Sequence, residues 1–174
     1  AAARYLQIGS RAGRNTHFIL HIFAGRLDGG AGIFHVLKAG ALHGAEIVAV
    51  LPERHADFWK NLAARFEVAP HTIVTGGAER FDSVRRGLAA LRTDPELIAV
   101  QDGVRPLGSQ ELIRRTVAAA AEHGTAIPVV EPVDSFRETD GAASQIIDRR
   151  RLRIVQTPQV FRAELLRRAY ETEY

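Results

Sequence analysis

The chain is predicted to form an α/β domain in which helices cover both faces of a mostly parallel β-sheet. Short apolar runs without alternation, such as residues 46–51 and 97–100, are typical of strands buried on both faces. Segments with helical spacing of apolar residues separate these runs, as in consecutive strand–helix–strand units. A length of 174 residues suits one domain with a sizeable core. We therefore expect a single domain over residues 1–174.

Each element is predicted from its apolar pattern and from the residues that end it. The predicted strands span residues 46–51, 71–75, 97–100 and 126–130. The predicted helices span residues 55–66, 82–91, 110–123 and 163–170. Helical spacing predicts that the inward-facing residues are Phe58, Trp59, Leu62, Phe66, Val84, Leu88 and Leu91. Pro52 ends the first strand, and Gly124 ends the helix that starts at Gln110.

Residues 131–155 interrupt the alternation of strands and helices. Pro132, Gly141 and the charged cluster 148–151 leave about 25 residues without helical periodicity, which is long for a plain loop. We expect a β-hairpin that leaves the body of the domain, with Gly141 near its tip.

The composition excludes several classes of function. Without cysteine, the chain has no disulfides and no thiolate metal site. No apolar run reaches the roughly 20 residues that span a bilayer, and the first residues lack the apolar core of a secretory signal. The net charge is +3, and the arginines are dispersed without an aromatic platform, which disfavours nucleic-acid binding. We expect a cytoplasmic protein with neither a membrane nor a nucleic acid as partner.

The segment 102–106 places opposite charges at the tip of a buried strand. Asp102, Gly103 and Arg105 directly follow the apolar run 97–100 and Gln101. Ligands of open parallel sheets collect at the carboxyl ends of strands. An aspartate there can hold a divalent metal, and an arginine can bind a phosphate. An ordinary ion pair between a strand and a loop explains this segment equally well.

Three further segments carry candidate chemistry. Gly76 and Gly77 allow a backbone to pass close to a ligand, and Ser83 can donate to a ribose or a base. A plain turn with Asp82 as helix N-cap is the simpler interpretation. The cluster 148–153 is either a solvated charge run or a binding segment, and residues 156–159 either line a pocket or form a turn.

The order and spacing of these segments are more specific than any one of them. Together they resemble the 2-C-methyl-D-erythritol 4-phosphate cytidylyltransferases of the non-mevalonate isoprenoid pathway, through residues 74–84, 87–88, 100–107, 148–149 and 156–161. The resemblance runs from about residue 46 to residue 170. It implies a Rossmann-like nucleotidyltransferase fold whose domain continues beyond residue 174. It also implies a homodimer in which an arm, residues 131–155, reaches into the neighbouring subunit.

The activity implied by the resemblance is a magnesium-assisted cytidylyl transfer. CTP and methylerythritol phosphate would give CDP-methylerythritol and pyrophosphate. Gly76, Gly77 and Ser83 match family positions that hold the cytosine and the ribose. Asp102 matches the carboxylate near the metal and the ribose.

The resemblance also implies residues for the acceptor side of the reaction. Arg105 and Thr157 match positions near the substrate. Arg149 matches the arm residue that contacts the sugar phosphate across the dimer. Ser135 falls where the family often has threonine.

The first residues depart from the family pattern A-A-G-x-G-x-R followed by P-K-Q, a loop that wraps the triphosphate. Gly9 and Arg14 fall on the loop glycine and arginine, and His21 falls on the lysine. Histidine is mostly neutral at pH 7 whereas lysine is cationic, so charge stabilisation at the α-phosphate is expected to be weaker.

Three function classes are compatible with these observations. The first is a methylerythritol phosphate cytidylyltransferase. The second is a cytidylyltransferase for another polyol phosphate, such as ribitol 5-phosphate. The third is a catalytically impaired nucleotide-binding relative, which the departure at His21 favours.

Overall fold

The computed structural model describes residues 16–21, 45–103, 105 and 109–172, the first range by its backbone alone. Its strands are Thr16–His21 (β1), Ile47–Leu51 (β2), Thr72–Thr75 (β3), Leu97–Asp102 (β4), Thr125–Ala126 (β5), Val129–Val130 (β6), Phe136–Asp140 (β7), Ala143–Ile147 (β8), Ile154–Val155 (β9) and Gln159–Arg162 (β10). Its α-helices are Ala56–Arg65 (α1), Arg80–Ala89 (α2), Gln110–His123 (α3) and Ala163–Glu171 (α4). Single 3₁₀ turns lie at Glu53–His55 and Arg149–Arg151.

The described strands form one large sheet and two small ones. The large sheet has the order β3-β2-β1-β4-β10-β5, and β1 to β4 run parallel to one another. β10 runs antiparallel to both β4 and β5. The expected mostly parallel sheet is confirmed, and among its described strands β10 alone runs in the opposite direction.

Helices cover both faces of the sheet, as predicted. Alternate residues of β4 point to opposite faces, so Leu97 and Ala99 pack against α3 while Ile98 and Val100 lie in the cluster with α2 and α4. Trp59 of α1 packs against β2 on the α3 face. Strands such as β2 and β4 are buried on both faces, and for this reason their sequences contain continuous apolar runs.

The ends of α3 follow from its sequence. Ser109 is the N-cap and its Oγ accepts a hydrogen bond from the Leu112 amide, which satisfies a helix-end donor. Gly124 ends the helix with φ of +88°, a conformation that favours glycine. The prediction for residues 110–123 is confirmed at both ends.

Several predictions of detail are wrong. Phe58 is 51% exposed, because only a narrow stripe of α1 around Trp59 faces the sheet. Phe66 is 53% exposed and is the C-cap residue that follows the helix. The predicted strand 126–130 is two strands in different sheets, since Pro128 has no N–H to continue a ladder. The N-cap of α2 is Glu79 rather than Asp82, which lies in the first turn of the helix.

The predicted arm contains the expected hairpin. β7 and β8 pair antiparallel from Phe136–Ile147 to Asp140–Ala143, and Gly141 turns between them with φ of +56°. At the base of the arm, β6 pairs with β9 in a two-stranded ribbon. In the described part of the chain, no helix has both the length and the apolar character needed to cross a membrane.

Candidate active site

Four of the predicted site residues lie where strands of the sheet end at its carboxyl edge. Asp102 is the last residue of β4, and Gly76 and Gly77 directly follow β3. His21 ends β1 and is the register partner of Asp102. Ligands of open α/β sheets bind at this edge. The fold therefore brings together segments that are far apart in the sequence.

Two arginines flank the carboxylate of Asp102. Arg105 Nε lies 3.3 Å from Oδ2, and Arg80 Nη2 lies 3.6 Å from Oδ1. Arg80 also donates to Gln159 Oε1 of β10 at 3.4 Å. The Asp102 side chain is 25% exposed to solvent, so a ligand can reach it. Two guanidinium groups around one carboxylate leave an excess of positive charge, which suits a phosphate.

Two residues of the segment before β10 bind Asp102 and Arg105. Thr157 is buried, and its Oγ1 accepts a hydrogen bond from the Asp102 amide at 3.2 Å. Gln156 Oε1 accepts from Arg105 Nη1 at 2.6 Å. The backbone at Asp102 and the guanidinium of Arg105 are thus both positioned by residues 156–157.

A buried glutamine braces the turn that carries both charged residues. Gln101 Nε2 donates to the carbonyl oxygens of Asp102 and Arg105, at 3.0 Å in each case. The Arg105 amide donates to the Asp102 carbonyl at 3.0 Å. The turn is therefore held by side-chain and backbone bonds together.

The loop between β3 and α2 needs its two glycines for space. A Cβ added at Gly77 would lie 2.1 Å from Cβ of Asp82, and one added at Gly76 would lie 3.0 Å from Oγ of Ser83. The Gly76 amide donates to the Leu51 carbonyl at 2.8 Å, which ties the loop to the end of β2. The glycines let the backbone run against the start of α2.

The hydroxyl of Ser83 is already used within this loop. Oγ donates to the Glu79 carbonyl at 3.0 Å and accepts from the Gly77 amide at 3.1 Å. A serine hydroxyl has one hydrogen to donate and two lone pairs. We expected Ser83 to donate a hydrogen bond to a ligand, but in this conformation its hydrogen is already used. One lone pair remains to accept a bond.

The arm residues are not brought to the Asp102 cluster within this chain. Arg149 Nη1 donates to the Val133 carbonyl at the base of the arm. Ser135 is exposed. Beside Arg149, Asp148 accepts from the Arg150 side chain and amide, and these bonds lower the pKa of the Asp148 carboxyl. Among the described residues, neither Ser135 nor Arg149 has a hydrogen bond or ion pair to Asp102 or Arg105.

The structure describes little of the residues that are assigned to the triphosphate loop. Gly9 and Arg14 lie outside the described residues, and only the backbone of His21 is described. β1 starts beside Leu97 and ends beside Asp102, so the chain reaches this edge of the sheet at His21.

Asp102 fits a magnesium ion that takes most of its ligands from a substrate. No group of three or more His, Asp or Glu residues that could hold a metal occurs in the ranges described. Mg²⁺ is usually bound by one or two carboxylates together with substrate phosphates and waters. The partly exposed carboxylate of Asp102 suits that mode and does not suit a metal held by protein ligands alone.

Gln101 and Arg80 are two residues of this cluster that were not predicted from the sequence. For Gln101 a signal was present, because an amide directly after a continuous apolar run is an unusual residue for a buried strand. Arg80 gave no such signal, since its contacts with Asp102 and Gln159 come from other elements.

Comparison with known proteins identifies a family. The family model described as 2-C-methyl-D-erythritol 4-phosphate cytidylyltransferase (IspD) matches residues 26–174. The protein of that name from Bacteroides thetaiotaomicron is 41% identical over 145 residues, 82% of this chain and 66% of that protein. The protein of the same name from Bacillus pumilus is 36% identical over 165 residues, 92% of this chain and 69% of that one.

A solved structure supports the same fold. The 4-diphosphocytidyl-2C-methyl-D-erythritol synthase from Anaerococcus prevotii aligns with a TM-score of 0.77 at 24% identity, over 92% of this chain and 78% of that one. The chain spans less than two thirds of the length of the Bacteroides relative. Gly9, Arg14 and His21 precede the residues that the family model matches. Because that match covers most of the sequence, the chain belongs to the 2-C-methyl-D-erythritol 4-phosphate cytidylyltransferase family.

Proposed function

We propose that this chain transfers a cytidylyl group from CTP to 2-C-methyl-D-erythritol 4-phosphate. The observation that carries the proposal is the Asp102–Arg105 turn at the carboxyl edge of β4, held by Thr157. A phosphate oxygen of the acceptor attacks the α-phosphorus of CTP, and the bond to the bridging oxygen of the β-phosphate breaks. CDP-methylerythritol and pyrophosphate leave. Relatives named for this activity support the choice of substrates.

Arg105 is assigned to the phosphate of the acceptor. Its guanidinium is held by Gln156 Oε1 at 2.6 Å, yet its side chain is 42% exposed, so it can bind an anion without losing its orientation. A guanidinium fork matches phosphate oxygens in a bidentate way. A fixed acceptor phosphate converts the attack into an effectively intramolecular step.

The nucleotide is assigned to the loop between β3 and α2. Gly76 and Gly77 let a flat base approach the backbone, and Ser83 fixes that loop through Gly77. Arg80 lies between this loop and Asp102, where its charge opposes the negative charge of a triphosphate. Gly9, Arg14 and His21 are assigned to the triphosphate on the resemblance alone.

Magnesium is proposed as the metal, with Asp102 as its protein ligand. When bound, Mg²⁺ neutralises charge on the triphosphate and lowers the barrier for displacement at phosphorus. The protein contributes the carboxylate of Asp102. Gln101 holds the backbone carbonyl of this residue, and Thr157 holds its backbone amide.

A homodimer is proposed as the functional unit. The arm exposes apolar side chains, among them Val133 at 75% and Ile146 at 79%, as a surface that meets another chain would. Arg149 and Ser135 then contribute to the acceptor site of the neighbouring subunit rather than to their own.

The proposed function is tested by pyrophosphate release from CTP and Mg²⁺ with a panel of polyol phosphates. We expect methylerythritol phosphate to be the preferred acceptor. Asp102→Asn is expected to reduce its turnover by about 100-fold or more, because metal-assisted charge stabilisation is worth several kcal/mol. Asp94→Asn, at an exposed position in the segment before β4 and away from the carboxyl edge of the sheet, is the matched control and should have no effect.

Other outcomes of the same assay would overturn the proposal. Faster release with ribitol 5-phosphate would indicate a different acceptor. CTP binding without release on any acceptor would indicate a nucleotide-binding protein without transferase activity.

A further inference from the structure

The next-to-last residue of β4 is a buried glutamine that follows a fully apolar stretch. Leu97 to Val100 are 0–2% exposed, and Gln101, the next residue, is 3% exposed. A buried carboxamide costs free energy unless it is hydrogen-bonded. The partners of Gln101 therefore indicate why a polar residue stands at this position.

The side-chain amide of Gln101 donates two hydrogen bonds, both to backbone carbonyls of the turn that follows it. Nε2 donates to the Asp102 carbonyl and to the Arg105 carbonyl, each at 3.0 Å. The Arg105 amide closes the same turn by donating to the Asp102 carbonyl. Gln101 thus connects the first and last residues of the turn through one nitrogen.

The two ends of this turn carry the two charged groups of the site. Arg105 Nε lies 3.3 Å from Asp102 Oδ2, so a change in the turn would alter the distance between carboxylate and guanidinium. Thr157 holds the amide of Asp102 while Gln101 holds its carbonyl. Gln101 also donates to the backbone carbonyl of Arg105. This bond fixes the position from which the Arg105 side chain extends.

We propose that Gln101 is a positioning residue for the transferase reaction. Its carboxamide sets the conformation of the Asp102–Arg105 turn before substrates bind, and it does not itself contact them. The inference rests on the proposed function for its kinetic consequence, whereas its structural consequence is independent of any activity.

The test compares three variants. Gln101→Met keeps a side chain of similar length and removes both N–H donors, and Gln101→His keeps a ring N–H. Gln110→Met makes the same chemical change on the exposed first turn of α3 and is the matched control. All three are measured in the full chain.

The first readout is amide hydrogen exchange without ligand. Gln101→Met should speed exchange of the Arg105 amide by about tenfold relative to wild type, the size expected for loss of a hydrogen bond in a turn. The amides of Ala99 and Val100 should be unchanged. Gln101→His should be intermediate and Gln110→Met should match wild type. Unchanged exchange at Arg105 in Gln101→Met would overturn the proposal, whether or not the chain is a transferase.

The second readout is a double-mutant cycle with Arg105→Met, measured as kcat/KM for methylerythritol phosphate. Gln101→Met should lower kcat/KM by about tenfold in the wild-type background and by much less when Arg105 is absent, because coupled residues are not additive. Equal losses in both backgrounds would overturn a positioning role and leave only a general effect on folding. If wild type has no activity on any polyol phosphate, the proposed function fails, and the exchange experiment alone decides the role of Gln101.

Discussion

The charges around Asp102 contribute little to the stability of the fold, and under the proposed function they serve binding. Arg80 and Arg105 are 37% and 42% exposed, and pairs this exposed to solvent contribute at most about 1 kcal/mol. A bound triphosphate would exclude water from the same groups, which strengthens their electrostatic interactions. The same arginines then matter far more for a charged ligand than for the fold.

Arg80 extends towards Asp102 from a firmly anchored helix start. Its neighbour Phe81 stacks on Tyr170 of α4, with ring centroids 4.6 Å apart. Burial raises the pKa of Tyr170, and the nearby charge of Arg80 acts in the opposite direction. Phe81 therefore fixes the first turn of α2 on one side while Arg80 reaches the site on the other.

Replacing Arg80 tests whether it binds the nucleotide. Arg80→Met is expected to raise KM for CTP by about tenfold, the scale of one charged hydrogen bond, while the free energy of unfolding changes by less than about 1 kcal/mol. Steady-state kinetics and denaturant unfolding measure the two quantities. Arg114→Met, which removes an exposed partner of Glu111 on α3, is the control. An unchanged KM in Arg80→Met would exclude Arg80 from the nucleotide site.

The site residues that sequence could predict are those close together in the chain. Asp102 and Arg105 share one turn after an apolar strand, so a local pattern indicates both. The segment 156–159 could be interpreted equally as a pocket lining or as a turn. The substrate-side role of Thr157 came only from the family resemblance, because its contact with Asp102 depends on the pairing of β10 with β4. The conformation that uses the Ser83 hydroxyl inside its own loop has no signature in the sequence.

At the scale of elements, the loop between β3 and α2 has little room for change. Gly77→Ala places a methyl group 2.1 Å from Asp82 Cβ, so either the loop or the first turn of α2 must move. We expect destabilisation of about 1–3 kcal/mol, as for other overpacked sites, together with weaker CTP binding.

Chemical denaturation and CTP titration measure these two effects of Gly77→Ala. Gly141→Asn is the control, because the space around Gly141 is open and asparagine tolerates its positive φ. If Gly77→Ala matched wild type in both measurements, the close approach at this loop would not matter for the nucleotide.

Elements were predictable where local pattern and packing agree. β2 and β4 follow clear apolar runs, and α3 has clear capping residues. All three elements are confirmed, although β4 continues past the predicted residues 97–100 to Asp102. Phe58 shows the limit, because apolar spacing assigns it to the core while α1 contacts the sheet only around Trp59. The antiparallel direction of β10 could not be read from its residues, since it is set by pairing with β4 after the chain returns from the arm.

At the scale of the whole molecule, the arm separates two groups of proposed site residues. Asp102 and Arg105 lie at the edge of the large sheet, whereas Arg149 is bonded to Val133 at the base of the arm. The ribbon of β6 and β9 connects the arm to the segment that holds Gln156, whose amide donates to the Pro128 carbonyl. A hairpin that projects from the body with exposed apolar residues is well placed to meet a second chain.

A shared site predicts recovery of activity in mixed dimers. Asp102→Asn and Arg149→Ala should each lower turnover by about 100-fold or more, since each removes a charged contact to a reacting phosphate. In a heterodimer of the two variants, one site combines an intact Asp102 with an intact Arg149 from the other chain. We expect turnover of up to about half that of a wild-type dimer after subunit exchange, because one of two sites is complete.

Two controls make this mixing experiment decisive. Subunit exchange is verified first, by light scattering and by co-purification of differently tagged chains. Mixing Asp102→Asn with Arg105→Ala should restore nothing, because both residues lie in the same turn of one chain and every heterodimer site lacks one of them. Recovery in that control would show that Asp102 and Arg105 of one chain do not act in the same site. No recovery with Arg149→Ala after confirmed exchange would show that Arg149 serves its own subunit. The arm would then close over its own Asp102 edge, and a single chain would hold the complete site.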